Sequence, residues 1–248
     1  MEASRAPANR VSVGDVVGET FRIYRENAGA LLGSAVAVFV IVGLLSAILQ
    51  NVGGVVLVLL AGLIRLAGHA LYTGFVVKLV QDVRDGKRDE TVGDLFEAAR
   101  PAIFPLIGFG ILFAIGVGVG FVFLIVPGLI LLTFWAVGAP AIVAEGVGPI
   151  DAFGRSWRLV RGEAWSVFTT LLVVLLIVIA IGVVLGVIAT PIGDGEVATY
   201  IAAIVSSVIT APIFSLAITV MYFNLGGGAA GASPPAAAPA GDGPSSVD

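Results

Sequence analysis

The 248-residue chain is 58 % hydrophobic and only 12 % charged, with a formal net charge of −4. A soluble domain dresses its surface with about 25 % charged residues, so half that supply argues against a water-exposed globule and makes lipid the solvent for much of the surface. One histidine and no cysteine exclude disulfides, thiolate nucleophiles and His- or Cys-rich metal centres, and leave a serine triad without a partnered base.

In chain order, residues 1–11 lack an apolar period and read as a disordered lead. Ser12-Val13-Gly14-Asp15 has the spacing of a capping box, with a hydroxyl at the N-cap and a carboxylate three residues on. Val13, Val16, Val17, Phe21 and Tyr24 then recur at helical spacing, opposite Asp15, Glu19, Arg22 and Glu26. Either an interfacial amphipathic helix or an ordinary lead into the first membrane helix accounts for this pattern.

Six apolar runs follow, at about 28–49, 55–80, 102–126, 129–144, 164–189 and 197–225. Each is continuous rather than alternating with period two, which points to helices and not to a membrane barrel. Gln50–Gly54, Pro127-Gly128 and Thr190–Glu196 separate the members of three successive pairs. The connectors between pairs are polar. Thr91-Val92-Gly93-Asp94 echoes the Ser12 box, with Val92, Leu95, Phe96 and Ala99 as its stripe. Pro149 suits a first helical position, and Ile150, Phe153, Trp157 and Val160 form the stripe that follows, with Arg155, Arg158 and Arg161 facing elsewhere. Trp165 is placed as an interfacial anchor. The expected fold is all-α and polytopic: six transmembrane helices as three hairpins, each preceded by a short amphipathic helix, over residues 12–225. A Gly/Ala/Pro tail at 226–248 reads as disordered.

Charge sets the expected orientation. In a six-helix layout every basic residue except Arg65 falls on one side, while the opposite turns carry Asp194 and Glu196. The positive-inside rule then places both termini in the cytoplasm of a bacterial inner membrane.

Arg65 and His69 form the candidate intramembrane polar site. They lie four residues apart on one helix face, halfway along the second run. An arginine at mid-bilayer costs about 2.5–3.5 kcal/mol on insertion scales, so it should face the bundle and find a carboxylate or carbonyls freed by Pro140 or Pro212. It reads either as an anion or lipid-phosphate contact with His69 beside it, or as a structural clasp. Glu145 ends the fourth run next to the connector holding Arg155, Trp157, Arg158, Arg161 and Trp165. One of those arginines is its expected partner, with Arg65 or His69 as the alternative. Gly116-x-Gly118-x-Gly120 and Gly182-x-x-x-Gly186 offer close helix approach. No basic aromatic platform speaks for nucleic acid, and no residue pattern calls for a cofactor or metal.

Pro127-Gly128, Pro140, Glu145-Gly146, Ala152, Arg155-Ser156-Trp157, Leu159, Gly162 and Trp165 together resemble the bacterial membrane domain found in some glycerophosphoryl diester phosphodiesterases and in many stand-alone integral membrane proteins. Met221-Tyr222-Phe223-Asn224-Leu225 is similar to that family's closing aromatic pair and acidic residue, with Asn224 where aspartate is expected. The resemblance spans roughly residues 12–225 and implies a polytopic helical domain. It transfers no catalytic residue, because the phosphodiesterase barrel has no counterpart here. The expected function is therefore a non-catalytic membrane scaffold or accessory subunit, in contact with the bilayer, with anionic lipid headgroups and with a membrane-protein partner. The alternative is a small-solute or lipid transporter using Arg65 and His69.

Overall fold

The structure, a computed structural model, describes residues 12–86, 90–189 and 196–228. The expected lead at 1–11, Lys87 and Arg88, the turn at 190–195 and the tail beyond Gly228 lie outside the described residues. The elements are α1 (Val13–Glu26), α2 (Ala28–Val52), α3 (Val55–Asp85), α4 (Val92–Ala99), a 3₁₀ turn (Arg100–Ala102), α5 (Ile103–Phe123), α6 (Ile125–Trp135), α7 (Gly138–Glu145), α8 (Pro149–Val160), α9 (Ala164–Ala189) and α10 (Glu196–Asn224). No strand occurs among the described residues.

Six helical segments among them are long and apolar enough to cross a membrane: Ala28–Val52, Val55–Asp85, Val92–Phe123, Ile125–Glu145, Ala164–Ile188 and Tyr200–Asn224. The chain is an all-α polytopic membrane protein. Its outer surface fits that medium: Val122 is 85 % and Phe104 83 % exposed, within an apolar exterior far larger than the few hundred Å² a soluble monomer tolerates. The helices pack most extensively as the sequential pairs α2 with α3, α5 with α6 and α9 with α10, and α10 also lies along α2.

Several local expectations are corrected. Pro127-Gly128 is no turn. The chain breaks at Leu124, which is extended (φ −166°, ψ 152°), and Pro127 sits in the first turn of α6, where a missing N–H costs no helical bond. Gly128 is instead a packing residue, since a Cβ on Gly120 would stand 2.9 Å from the Gly128 Cα. The fourth run is not one helix interrupted at Pro140. It divides at Ala136-Val137 into α6 and α7, so that Pro140 lies in the first turn of α7 and again forfeits nothing. The Ser12 hydroxyl makes no cap bond, whereas the Thr91–Asp94 box is complete: Asp94 N–H donates to Thr91 Oγ1 at 3.3 Å and Thr91 N–H to Asp94 Oδ2 at 3.0 Å. From Thr91 the helix continues through the 3₁₀ turn into α5, so the second amphipathic segment is the start of the third crossing. Gly182 and Gly186 meet nothing within 4 Å. Among the described residues neither marks a close helix approach.

The buried stripe of α8 also differs from the one expected. Ala152, Ser156 and Val160 are buried, while Ile150 and Trp157 are exposed. Small residues are needed there because α8 lies against the α6–α7 break. Ser156 Oγ donates to the Phe134 carbonyl at 2.8 Å and accepts from Val137 N–H at 3.3 Å, satisfying two backbone groups that the break orphans.

Candidate functional site

Two polar constellations stand out, one at an end of the bundle and one inside it. At the end where α1, α4, α8 and the C-termini of α3, α7 and α10 gather, here called the basic end, Glu145 is the hub. Arg155 grips it side-on with one edge of its guanidinium: Nε donates to Oε2 at 2.7 Å and Nη2 to Oε1 at 2.8 Å. Tyr222 Oη donates to Oε1 at 2.6 Å and Gly228 N–H at 3.2 Å. The side chains of Glu145 and Arg155 are only 11 % and 18 % exposed. The carboxylate beside Arg155 raises that guanidinium above its ordinary value, through charge-assisted hydrogen bonds to it. Of the three arginines expected to compete for Glu145, the structure selects Arg155. Arg158 and Arg161 are exposed.

The turn that brings Gly228 to Glu145 depends on backbone that other residues avoid. Gly226 and Gly228 have φ of +83° and +80°, and Gly227 lies flat on the Tyr222 ring, where any Cβ would collide. A second network adjoins it. Arg84 Nη2 donates to Glu19 Oε1 at 2.9 Å and to Asn224 Oδ1 at 2.8 Å, and Asn224 Nδ2 donates to Glu19 Oε2 at 3.4 Å. The Arg84 guanidinium also sits 5.0 Å from the centroid of the Phe223 ring. Asn224 thus bridges both halves of an ion pair, using one acceptor and one donor. Aspartate there would face Glu19 with like charge. Sequence reasoning named neither Tyr222 nor the Arg84–Glu19–Asn224 set as site residues. Only the aromatic pair next to a polar residue after an apolar run hinted at them.

Trp157 stacks on Phe134 with centroids 4.0 Å apart, and Trp165 is 79 % exposed beside Phe168. Both suit amphipathic rings at a membrane boundary.

Inside the bundle, α3 carries the stripe Val58, Gly62, Arg65, His69, Thr73, Val76 and Val80, all within one sector at 100° per residue. Exposure along it changes in one direction: Val58, Gly62, Arg65 and His69 are exposed, Thr73 is intermediate, and Val76 and Val80 are fully buried. On this sector α3 is therefore covered at the basic end and uncovered toward the far end, where Leu59, Leu60 and Leu63 on its other faces are exposed as well. Arg65 does not find the inward partner expected of it, having no hydrogen-bond or ion-pair partner among the described residues. Neither is it turned away from the bundle. It lies between the stripe that meets α2, marked by Gly68 against Val42 and Tyr72 Oη donating to the Leu31 carbonyl at 3.1 Å, and the stripe that faces α5, marked by Leu66 against Gly110. Glu145 is committed to Arg155 at the basic end, so it does not serve Arg65 or His69.

One turn closer to the basic end, His69 packs on Phe39 with ring centroids 5.0 Å apart and lines a cavity of about 370 Å³ between α3, α5, α6, α7, α9 and α10. Its walls include Leu66, Phe109, Phe113, Leu132, Leu171 and Ile218, and the polar lining residues are His69, Thr73 and Ser215. That volume is at the small end of ligand pockets, about 300–1,000 Å³. No group of three or more metal-ligating side chains occurs among the described residues. The arrangement offers a hydrophobic container with few groups able to solvate a polar solute, and Arg65 directly precedes its first α3 lining residue in sequence.

No protein-family model, no curated protein and no solved structure matches this chain.

Proposed function

We propose that the chain is a non-catalytic membrane scaffold or accessory subunit that holds a lipid-like molecule within its helices, seated in a bacterial inner membrane with both termini cytoplasmic. The observation that carries this reading is the apolar cavity between α3, α5, α9 and α10, which sits beside a sector of α3 uncovered toward one end and covered at the other. Its lining gives a hydrocarbon chain what it needs and gives a hydrated solute almost no replacement for lost water. The Glu145 and Arg84 clasps support the scaffold part of the reading, because they tie α1, α3, α7, α8 and α10 into one rigid face. The likeness to the stand-alone membrane domains of the phosphodiesterase type is consistent with it.

The graded exposure along α3 favours one variant, a lipid transporter in which Arg65 and His69 stand at the boundary between its uncovered and covered halves. A small-solute transporter draws no support from an apolar lining. The test is purification from the native membrane followed by intact-mass analysis of the protein–lipid complex. Wild type should retain a lipid-sized adduct through detergent exchange, and Ala139→Phe, which fills the cavity, should lose it. An adduct-free wild type, or equal retention by both, contradicts the reading.

A further inference from the structure

We infer that the cavity and Arg65 together form a site for a single-chain amphiphile bearing a carboxylate, its headgroup on the Arg65 guanidinium and its tail among Leu66, Phe113 and Leu171. This rests on the lipid-holding reading above and adds the headgroup chemistry and the direction of binding.

Three observations converge on it. Arg65 has no anionic partner among the described residues, and a guanidinium at membrane depth without one is a charge awaiting an anion. Among the described residues none of the crossings supplies it: Glu145 is taken by Arg155, and no other acid lies near mid-membrane. Next, the cavity is lined on α3 by Leu66, His69, Ala70 and Thr73, so it starts at the residue after Arg65 and runs about 10 Å along the helix at 1.5 Å per residue. A ligand whose polar end rests on Arg65 therefore lowers its tail toward the basic end. Finally, a cavity of about 370 Å³ suits one hydrocarbon chain rather than a two-chain phospholipid. One arginine balances a monoanion, whereas a phosphate monoester brings about −1.5 to −2. Thr73 and Ser215 on the walls have hydroxyls to spare for a headgroup that slips inward.

The experiment uses the full chain in zwitterionic nanodiscs and a photoactivatable C18 fatty acid with a diazirine in its tail, cross-linked and mapped by peptide mass spectrometry. Labelling should fall on the segments around Phe113 and Leu171–Leu175, be competed by oleate and not by methyl oleate, and drop about tenfold in Arg65→Leu. Arg65→Lys, which keeps the charge, should retain most of it. Lysophosphatidate should compete less well than oleate. Size-exclusion and thermal unfolding of Arg65→Leu provide the folding control, and that variant should be as stable as wild type. If methyl oleate competes as well as oleate and Arg65→Leu labels like wild type, carboxylate recognition is overturned while the lipid-holding reading survives. If the photoactivatable acid labels no segment of the cavity, the carboxylate site is overturned, and the intact-mass adduct of the wild-type protein decides the lipid-holding reading separately.

Discussion

Single residues carry unequal weight, and burial together with partner count decides which. Arg155 and Glu145 are mutually committed and largely shielded from solvent, so removing one leaves an uncompensated charge. Arg155→Ala should cost about 3 kcal/mol, read as a lowered midpoint of thermal unfolding in detergent. Arg155→Lys should recover only part of this, since an ammonium cannot reproduce the two-pronged contact. Tyr222→Phe removes one donor to a charged acceptor and should cost about 1.5–2 kcal/mol. Exposed Arg158→Ala and Arg161→Ala should cost almost nothing. The sequence showed a carboxylate beside three arginines and no way to choose among them. The choice follows from the α8 rotation fixed by Ser156, whose hydroxyl matters for backbone that is broken 19 and 22 residues away. No local pattern announces such a need.

Between elements, the informative contrast is between two boxes of the same spacing. Thr91 and Asp94 exchange bonds with the α4 N-terminus, whereas Ser12 makes none. Thr91→Ala should therefore destabilise by about 1 kcal/mol and Ser12→Ala by close to zero, measured side by side as shifts in unfolding midpoint. At the α6–α7 break, Ser156→Ala leaves a buried carbonyl and a buried N–H without their partner and should cost about 1–3 kcal/mol. The six crossings were legible because a bilayer imposes a length and a composition that a 20-residue window of sequence already reveals. Their ends were less so. Leu124 breaks a helix with no glycine or proline at the site, while Pro127 and Pro140 settle into first turns where the missing donor is harmless. Proline marks a neighbourhood for a boundary; packing then sets the residue.

At the scale of the molecule, the asymmetry of the two ends is the organising fact. The basic end gathers the Glu145 clasp, the Arg84–Glu19–Asn224 bridge and the fully buried Val76, Val80 and Tyr222. Toward the far end the same face of α3 stands exposed. That asymmetry was illegible in the sequence, where the run 55–80 reads as uniformly apolar apart from Arg65, His69 and Lys78, since it arises from which neighbours cover α3 in space. The charge pattern along the chain and the packing pattern in space nonetheless point the same way: arginines collect at the end where α3 is covered. If the cationic end faces the cytoplasm, as the positive-inside rule requires, the exposed sector of α3 faces outward. Arg158 at the basic end and Asn51 at the far end are both exposed, and the chain has no native cysteine, so a single introduced thiol reports on one place. Arg158→Cys should resist a membrane-impermeant maleimide on intact cells and react only after permeabilisation, while Asn51→Cys should react at once. The reverse pattern would turn the molecule over and move the exposed sector of α3, with Arg65 on it, to the cytoplasmic side.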